Sequence, residues 1–187
     1  RPGIGWGYKA AQEANDSPIA SGNVGAGMGA TVGKLLGPSR ATKGGLGSAR
    51  VDLDSGVVVS ALVAVNAIGE IVDSLSNTVV AGIRANDVGQ YDSAVDLALG
   101  NSVKAPVTGT NTTLGLIATN VNLSKVELKK VAEMAHDGMA RAIRPIHTQF
   151  DGDTVFAVSK PGSEVALTAS ANSQLTSIGT VSYTHLR

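Results

Sequence analysis

Cysteine is absent from this 187-residue sequence. Its absence excludes a disulfide scaffold, a thiolate zinc site and a cysteine nucleophile, although it does not fix the compartment. Net charge is missing too. Fifteen Lys and Arg balance fifteen Asp and Glu, so no basic excess exists to attract nucleic acid or an anionic lipid surface. Long hydrophobic runs are also lacking. The longest, Val57–Ile68, is interrupted by Ser60 and Asn66, short of the ~18 residues of a membrane span. Aromatic residues make up only 3% of the chain, yet 43% of it is hydrophobic and 16% charged, too apolar and too balanced for disorder. The length fits one domain or one large piece of one. No signal peptide is visible, and the expectation is a cytoplasmic protein with neither nucleic-acid nor membrane partners. The sequence opens at Arg1 within a Gly/Pro-rich stretch, so the true N-terminus, with any targeting segment, is expected upstream.

Glycine is abundant instead: 23 residues, about 12% against a typical ~7%. Twelve fall in the first 50 positions with no fixed period, which is neither collagen nor a solenoid. Such clusters mark tight turns or close backbone approach.

Along the chain, Tyr8–Asn15 reads as a short helix ended by Asn-Asp-Ser-Pro. Gly22–Gly37 is glycine-punctuated, and Arg40–Gly47 reads as a loop. Val57–Val65 is a β-branched run expected to be a strand buried on both faces. Thr78–Arg84 and Thr112–Thr119 are further strand candidates, Asp92–Gly100 a helical turn or loop, and Lys104–Asn111 a polar turn. Ser124 with Glu127 forms a capping-box pattern. Val126, Val131, Met134, Met139 and Ile143 then recur at helical spacing up to Arg141–Arg144, where Pro145 ends the helix. Pro145–Asp153 reads as a loop, Thr154–Val158 as a strand and Ser173–Gly179 as the start of a helix.

Four constellations could carry chemistry. Gly25-Ala26-Gly27-Met28-Gly29 lacks the spacing and preceding strand of a dinucleotide fingerprint and reads as a strand edge packed on another backbone. His136, His147 and His185 are too scattered to ligate a metal; His136 is expected to pack or cap, and His147 to sit in a loop. Asp151-Gly152-Asp153 alone is a solvated turn, or else a pair of carboxylates orienting a cation; calcium would need oxygen ligands that are missing. Asn111-Thr112-Thr113 alone is an ordinary strand start. A threonine becomes a nucleophile when a base stands beside it, and its own α-amine can serve if the preceding peptide bond is cut. That amine, with a pKa near ~8, suits general-base work at neutral pH.

Five blocks in order carry a resemblance: GNVGAGMGATVGK (22–34), KGGLGSA (43–49), ALVAVNAIGEIVD (61–73), NTTLGLIATN (111–120) and RPIHTQFDGDTVFAV (144–158). Together they resemble the L-aminopeptidase/D-esterase family, which includes β-peptidyl aminopeptidases and 6-aminohexanoate-oligomer (nylon oligomer) endohydrolases. The likeness is closest to the last branch and runs to about Gly179. It implies an α+β fold, a four-layer α/β/β/α sandwich of the N-terminal-nucleophile type. It further implies self-cleavage between Asn111 and Thr112 into residues 1–111 and 112–187, with Thr112 then serving as nucleophile and N-terminal base. Lys34 matches the family's active-site lysine, Asn66 its oxyanion-binding asparagine, and Asp151 and Asp153 the carboxylates that position the nucleophile's amine and hydroxyl. No cofactor or metal is implied.

Physical chemistry agrees with these roles. A fixed amide such as that of Asn66 stabilises charge developing on an attacked carbonyl. Lys34 can lower the hydroxyl pKa or stabilise charge, and a carboxylate can hold cationic groups in register. These five residues are expected to converge, with at least one pair in hydrogen-bond reach.

The chain departs from the family by lacking a hundred or more upstream residues and by ending in Ser182–Arg187, a tail resembling non-native read-through from 181 onward, so it is expected to be a fragment. The implied substrate is a small peptide or other amide, and the implied assembly a homo-oligomer of cleaved heterodimers. Alternatives are an ornithine-acetyltransferase-like acyltransferase on the same architecture, or an inactive structural or ligand-binding domain in which Thr112 is a plain strand residue.

Overall fold

The computed structural model describes residues 3–53, 56–100 and 111–165. The helix start expected at Ser173–Gly179, the tail at 181–187, His185 and most of the 104–111 turn lie outside them. The first elements in chain order are α1 (Ile4–Gln12), β1 (Thr31–Val32), β2 (Thr42–Lys43), β3 (Gly45–Asp52), β4 (Val58–Val65), β5 (Glu70–Val72), β6 (Val79–Ala81), β7 (Ile83–Arg84) and β8 (Tyr91–Asp92). They are followed by α2 (Ala94–Leu99), β9 (Leu114–Thr119), α3 (Lys125–Ala142), β10 (Ile143–Arg144) and β11 (Thr154–Ser159). The class is α+β.

The principal sheet has the order β11-β9-β4-β3. β4 lies antiparallel to β3 and to β9, and β9 lies parallel to β11. The register puts Val59, Ala61 and Val63 of β4 in rows with Thr119, Ile117 and Gly115 of β9, and successive residues alternate faces. On this face the strands pack on α3 through Val131, Ala135 and Met139, which are 2% exposed or less. Burying a side chain the size of Val131 or Met139 contributes ~1.5–3 kcal/mol. Gly115 makes the close approach possible, since a Cβ there would come within 2.9 Å of Met139 Cε.

α3 starts where the sequence says it should. Ser124 Oγ accepts from Glu127 N at 3.3 Å, and Glu127 Oε2 accepts from Ser124 N at 2.8 Å, a complete capping box. The helix ends by passing directly into β10, which pairs with β5 in a three-stranded sheet, β10-β5-β6.

Three expectations needed correction. Arg40–Gly47 is not a single loop: β2 and β3 begin inside it, and β3 continues to Asp52. Its Gly, Ser, Arg and Asp residues carry no apolar signature, and pairing along all of β4 makes it a strand. Thr78–Arg84 is two short strands rather than one, broken at Gly82, whose backbone is so close to Gly33 that a Cβ on Gly33 would lie 2.2 Å from Gly82 C. β4 is buried throughout on one face, while its other face is half-buried except at Ala64. On that second face of the sheet Leu114, Phe156 and Val158 remain 45%, 59% and 46% exposed.

Candidate active site at the Asn111–Thr112 junction

The parallel pairing of β9 and β11 continues upstream of both strands, and Asn111 bridges Asp151. Residues 111–113 and 151–153 therefore run side by side. Gly152 N donates to Asn111 O at 3.0 Å, and Thr154 N donates to Thr113 O at 3.0 Å. Thr112 lies between these two rungs. Its hydroxyl donates to Asn111 O at 2.5 Å, the carbonyl of the peptide bond immediately before it. Glycine is required at 152 by proximity: a Cβ there would stand 2.8 Å from Thr112 Oγ1.

On the other side of Thr112 is Asn66, one residue past the end of β4. Its carbonyl accepts from Thr112 N at 3.1 Å and from Lys34 Nζ at 3.0 Å. Its side-chain Oδ1 accepts from Lys34 Nζ at 2.7 Å and from Thr31 N at 3.1 Å. Lys34 is held by its own backbone, with Gly33 N on Gly69 O and Lys34 N on Ile68 O, both at 2.8 Å. Gly33 itself sits at φ +70°, a left-handed conformation that glycine adopts without strain. Burial lowers the Lys34 pKa to about 8, against the opposing pull of the Asp151 charge. A large fraction of its amine is therefore neutral near pH 8.

The carboxylates serve different partners. Asp151 accepts from Ile68 N at 3.3 Å through Oδ1, and from Thr148 N and Oγ1 at 3.2 and 2.6 Å through Oδ2. It ties the 145–153 loop to the β4–β5 connection. Asp153, whose side chain is 2% exposed, accepts from Thr113 N at 2.7 Å through Oδ1 and from His147 Nδ1 at 2.9 Å through Oδ2. Thus Lys34, Asn66, Asn111, Thr112, Asp151 and Asp153 form one contiguous neighbourhood, with Lys34–Asn66 in direct side-chain contact.

Two cavities flank the junction. The cleft, about 580 Å³, is lined by Lys34, Asn66, Asn111 and Thr112 together with Ala26, Met28, Ala30 and Leu114. The 25–29 glycine segment forms its rim as a 3₁₀ turn, and a Cβ on Gly27 would be 2.3 Å from Leu46 N. The close backbone packing expected of it is present, but the segment is a 3₁₀ turn and not a strand edge. The second cavity, about 490 Å³, is lined by His136, His147, Thr148, Asp151, Gly152 and Asp153 and shares no residue with the cleft. Among the described residues no group of three or more His, Cys, Asp or Glu is placed to hold a metal. No described helix is long and apolar enough to cross a membrane.

Four participants carry no functional reading in the sequence. Gly152 stands between two acids that draw the attention, though a glycine there is itself a signal of close approach. The Thr31 amide carries no sequence signal at all. His136 and His147, far apart in the sequence, meet at 3.1 Å between Nδ1 and Nε2.

With this geometry in place, comparison with known proteins gives the following. The profile of peptidase family S58 matches residues 5–185. An uncharacterized aminopeptidase of Mycobacterium leprae is 38% identical over 177 residues, covering 90% of this chain and 47% of that protein. A 6-aminohexanoate-oligomer endohydrolase of Paenarthrobacter ureafaciens is 36% identical over 165 residues, covering 84% and 44%. Among solved structures, the L-aminopeptidase D-Ala-esterase/amidase of Ochrobactrum anthropi, described as a variant of the Ntn-hydrolase fold, superposes with a TM-score of 0.54 at 18% identity, over 95% of this chain and 47% of that one. That likeness shows the fold. The chain spans about half the length of the relatives it matches.

Proposed function

The chain belongs to peptidase family S58, and from that premise we propose that it is part of a self-processing amidohydrolase whose nucleophile is Thr112, freed by cleavage after Asn111. One observation carries this reading. The Thr112 hydroxyl lies 2.5 Å from the carbonyl oxygen of the bond to be cut, and that oxygen is also held by Gly152 N–H.

In the intact chain Thr112 has no free amine, so another base must act. Neutral Lys34, with its lowered pKa, is the candidate; Lys34 Nζ and Thr112 N share the Asn66 carbonyl as acceptor. Thr112 Oγ turns from the carbonyl oxygen to its carbon and adds to it through a five-membered ring. Its proton passes to Lys34 and then to the departing nitrogen. Gly152 N–H stabilises the charge on Asn111 O. The resulting ester takes up water, leaving a carboxylate on Asn111 and a free α-amine on Thr112. In later turnovers that amine takes the hydroxyl proton and returns it to the leaving amine. With Oδ1 fixed by Lys34 and Thr31, the Asn66 amide is pre-oriented to present Nδ2 to a substrate oxyanion.

Family membership favours peptides or 6-aminohexanoate-type amides as substrates, and the small apolar residues lining the cleft suit an uncharged stretch beside the scissile bond. The reading calls for no cofactor. The two pieces, 1–111 and 112–187, would stay joined, because β4 of one pairs with β9 of the other along six residues. The exposed Leu114, Phe156 and Val158 favour further assembly into a homo-oligomer of cleaved heterodimers. Light scattering showing a single heterodimer at micromolar concentration would count against that assembly. N-terminal sequencing of the smaller band from the full-length protein tests the cleavage. It should read Thr-Thr-Leu-Gly, and Thr112→Ala should remain one band. Product analysis with and without an added amine acceptor separates hydrolysis from acyl transfer.

A further inference from the structure

The second cavity lies behind the proposed nucleophile and holds two imidazoles that the mechanism above does not use. We propose that His147 is a positioning residue for Thr112: it holds the Asp153 carboxylate against the Thr113 amide, and His136 fixes its tautomer. The inference rests on the reading of Thr112 as nucleophile.

The argument begins with Asp153. A carboxylate buried this deeply requires donors to offset its lost hydration. Of the three N–H groups that supply it, Thr113 N at 2.7 Å, His147 N at 3.3 Å and His147 Nδ1 at 2.9 Å, two come from His147. An ionised carboxylate can only accept, so His147 Nδ1 carries a proton. That leaves Nε2 facing His136 Nδ1 at 3.1 Å. When His147 is neutral, His136 Nδ1–H donates to it. When His147 is protonated, its Nε2–H donates to an unprotonated His136 Nδ1. In both states one proton sits between the two rings, and the Nδ1–H toward Asp153 is retained.

Two further observations fit this role. Burial and the neighbouring imidazole, against the pull of Asp153 and Asp137, hold the His136 pKa below its usual value, as a partner to a protonated ring requires. His147 also sits at φ +54°, a left-handed conformation uncommon outside glycine that persists where surrounding contacts over-determine it. The contacts here are those to Asp153 and His136. Through Asp153 they reach the backbone of Thr113, which is fully buried, and so set the direction of the preceding Thr112 side chain.

Two substitutions in the full-length protein separate side-chain positioning from backbone accommodation. His147→Gly accepts the left-handed backbone but removes the ring donor. His147→Asn accepts it nearly as well and keeps an N–H close to the position of Nδ1. Misplacing a nucleophile by about 1 Å costs ~100-fold, so His147→Gly should slow self-cleavage and kcat by about that factor with KM within about twofold. His147→Asn should recover most of the loss. Equal rates for His147→Gly and wild type would overturn the proposal, as would His147→Asn as slow as His147→Gly. Should His147→Gly fail to fold, imidazole ¹⁵N shifts of the unsubstituted protein decide: a protonated Nδ1 on His147 supports the proposal, a bare one refutes it. If wild type shows no cut before Thr112, the nucleophile reading falls and takes this inference with it. If wild type is cut and His147→Gly is cut equally fast, only the inference falls.

Discussion

The two sides of the Asn111–Thr112 peptide are built on different principles. On the cleft side a half-buried lysine reaches across to Asn66, and its hold depends on one flexible side chain that can gain or lose a proton. On the opposite side residues 151–153 are laid against 111–113 by strand register, with backbone amides meeting the Asn111 carbonyl and the Asp153 carboxylate. The front rests on a side chain that reaches into the cleft, whereas the back is set by strand register. On the proposed reading, in which Thr112 first attacks its own chain and later a substrate, both are needed: a base that can be emptied, and a frame that does not shift when the bond before it is cut.

The sharpest way to break this contrast is at the front. Lys34→Met keeps the bulk and removes the base, and self-cleavage should fall by about three orders of magnitude, the middle of the range for a general base. A time course of band conversion measures it, and an unchanged rate would remove Lys34 from the chemistry. At the back, Gly152→Ala places a methyl where only 2.8 Å separates it from Thr112 Oγ1. Because 152 is bound into the strand register, the frame has little freedom to yield, and cleavage should slow by about 100-fold. Mass spectrometry would then show intact precursor accumulating.

The third test uses pH. Cleavage should accelerate as Lys34 loses its proton, with an inflection near 8 that is missing from Lys34→Met. Stability follows the same group. The folded protein binds the lysine proton less tightly than the unfolded chain, so below about 8 the full cost of burying the charge is present. That cost fades as pH rises from about 8 toward the ordinary value of 10.5. Thermal melts between those values should show this contribution increasing stability in wild type, and the increment should be absent in Lys34→Met. The smallest effect lies away from both sides. Ser124→Ala removes the α3 cap and should cost ~1 kcal/mol, lowering the melting temperature by a few degrees while leaving the cleavage rate unchanged. A changed rate would mean that α3 steers His136 more directly than its cap suggests.

How far the sequence revealed all this depends on whether a residue's role is local. α3 was legible because its cap and apolar stripe lie within twenty neighbouring positions, and β9 and β11 because their apolar runs are continuous. β3 was not, since Gly45, Gly47, Arg50 and Asp52 become strand only through pairing with β4. Lys34, Asn66, Thr112, Asp151 and Asp153 came from a five-block resemblance; spacing alone could not have joined positions so far apart. Nor could it have shown that Asp151 ties down a loop while Asp153 addresses the backbone beside the nucleophile. The His136–His147 contact was invisible for a related reason: eleven residues separate the two, and only the reversal after α3 brings them together.

One consequence of the sheet order concerns the sequence of assembly. β9 is an inner strand, with β4 on one side and β11 on the other. A cut ahead of Thr112 thus places a free chain end at the head of a strand already enclosed on both sides. Supplying the two pieces from separate genes would require a loose end to thread between two formed neighbours, opening the ladder that gives the site its shape. Under the proposed cleavage, folding would therefore come first and scission second, with the intact precursor as the template on which the finished active centre is moulded.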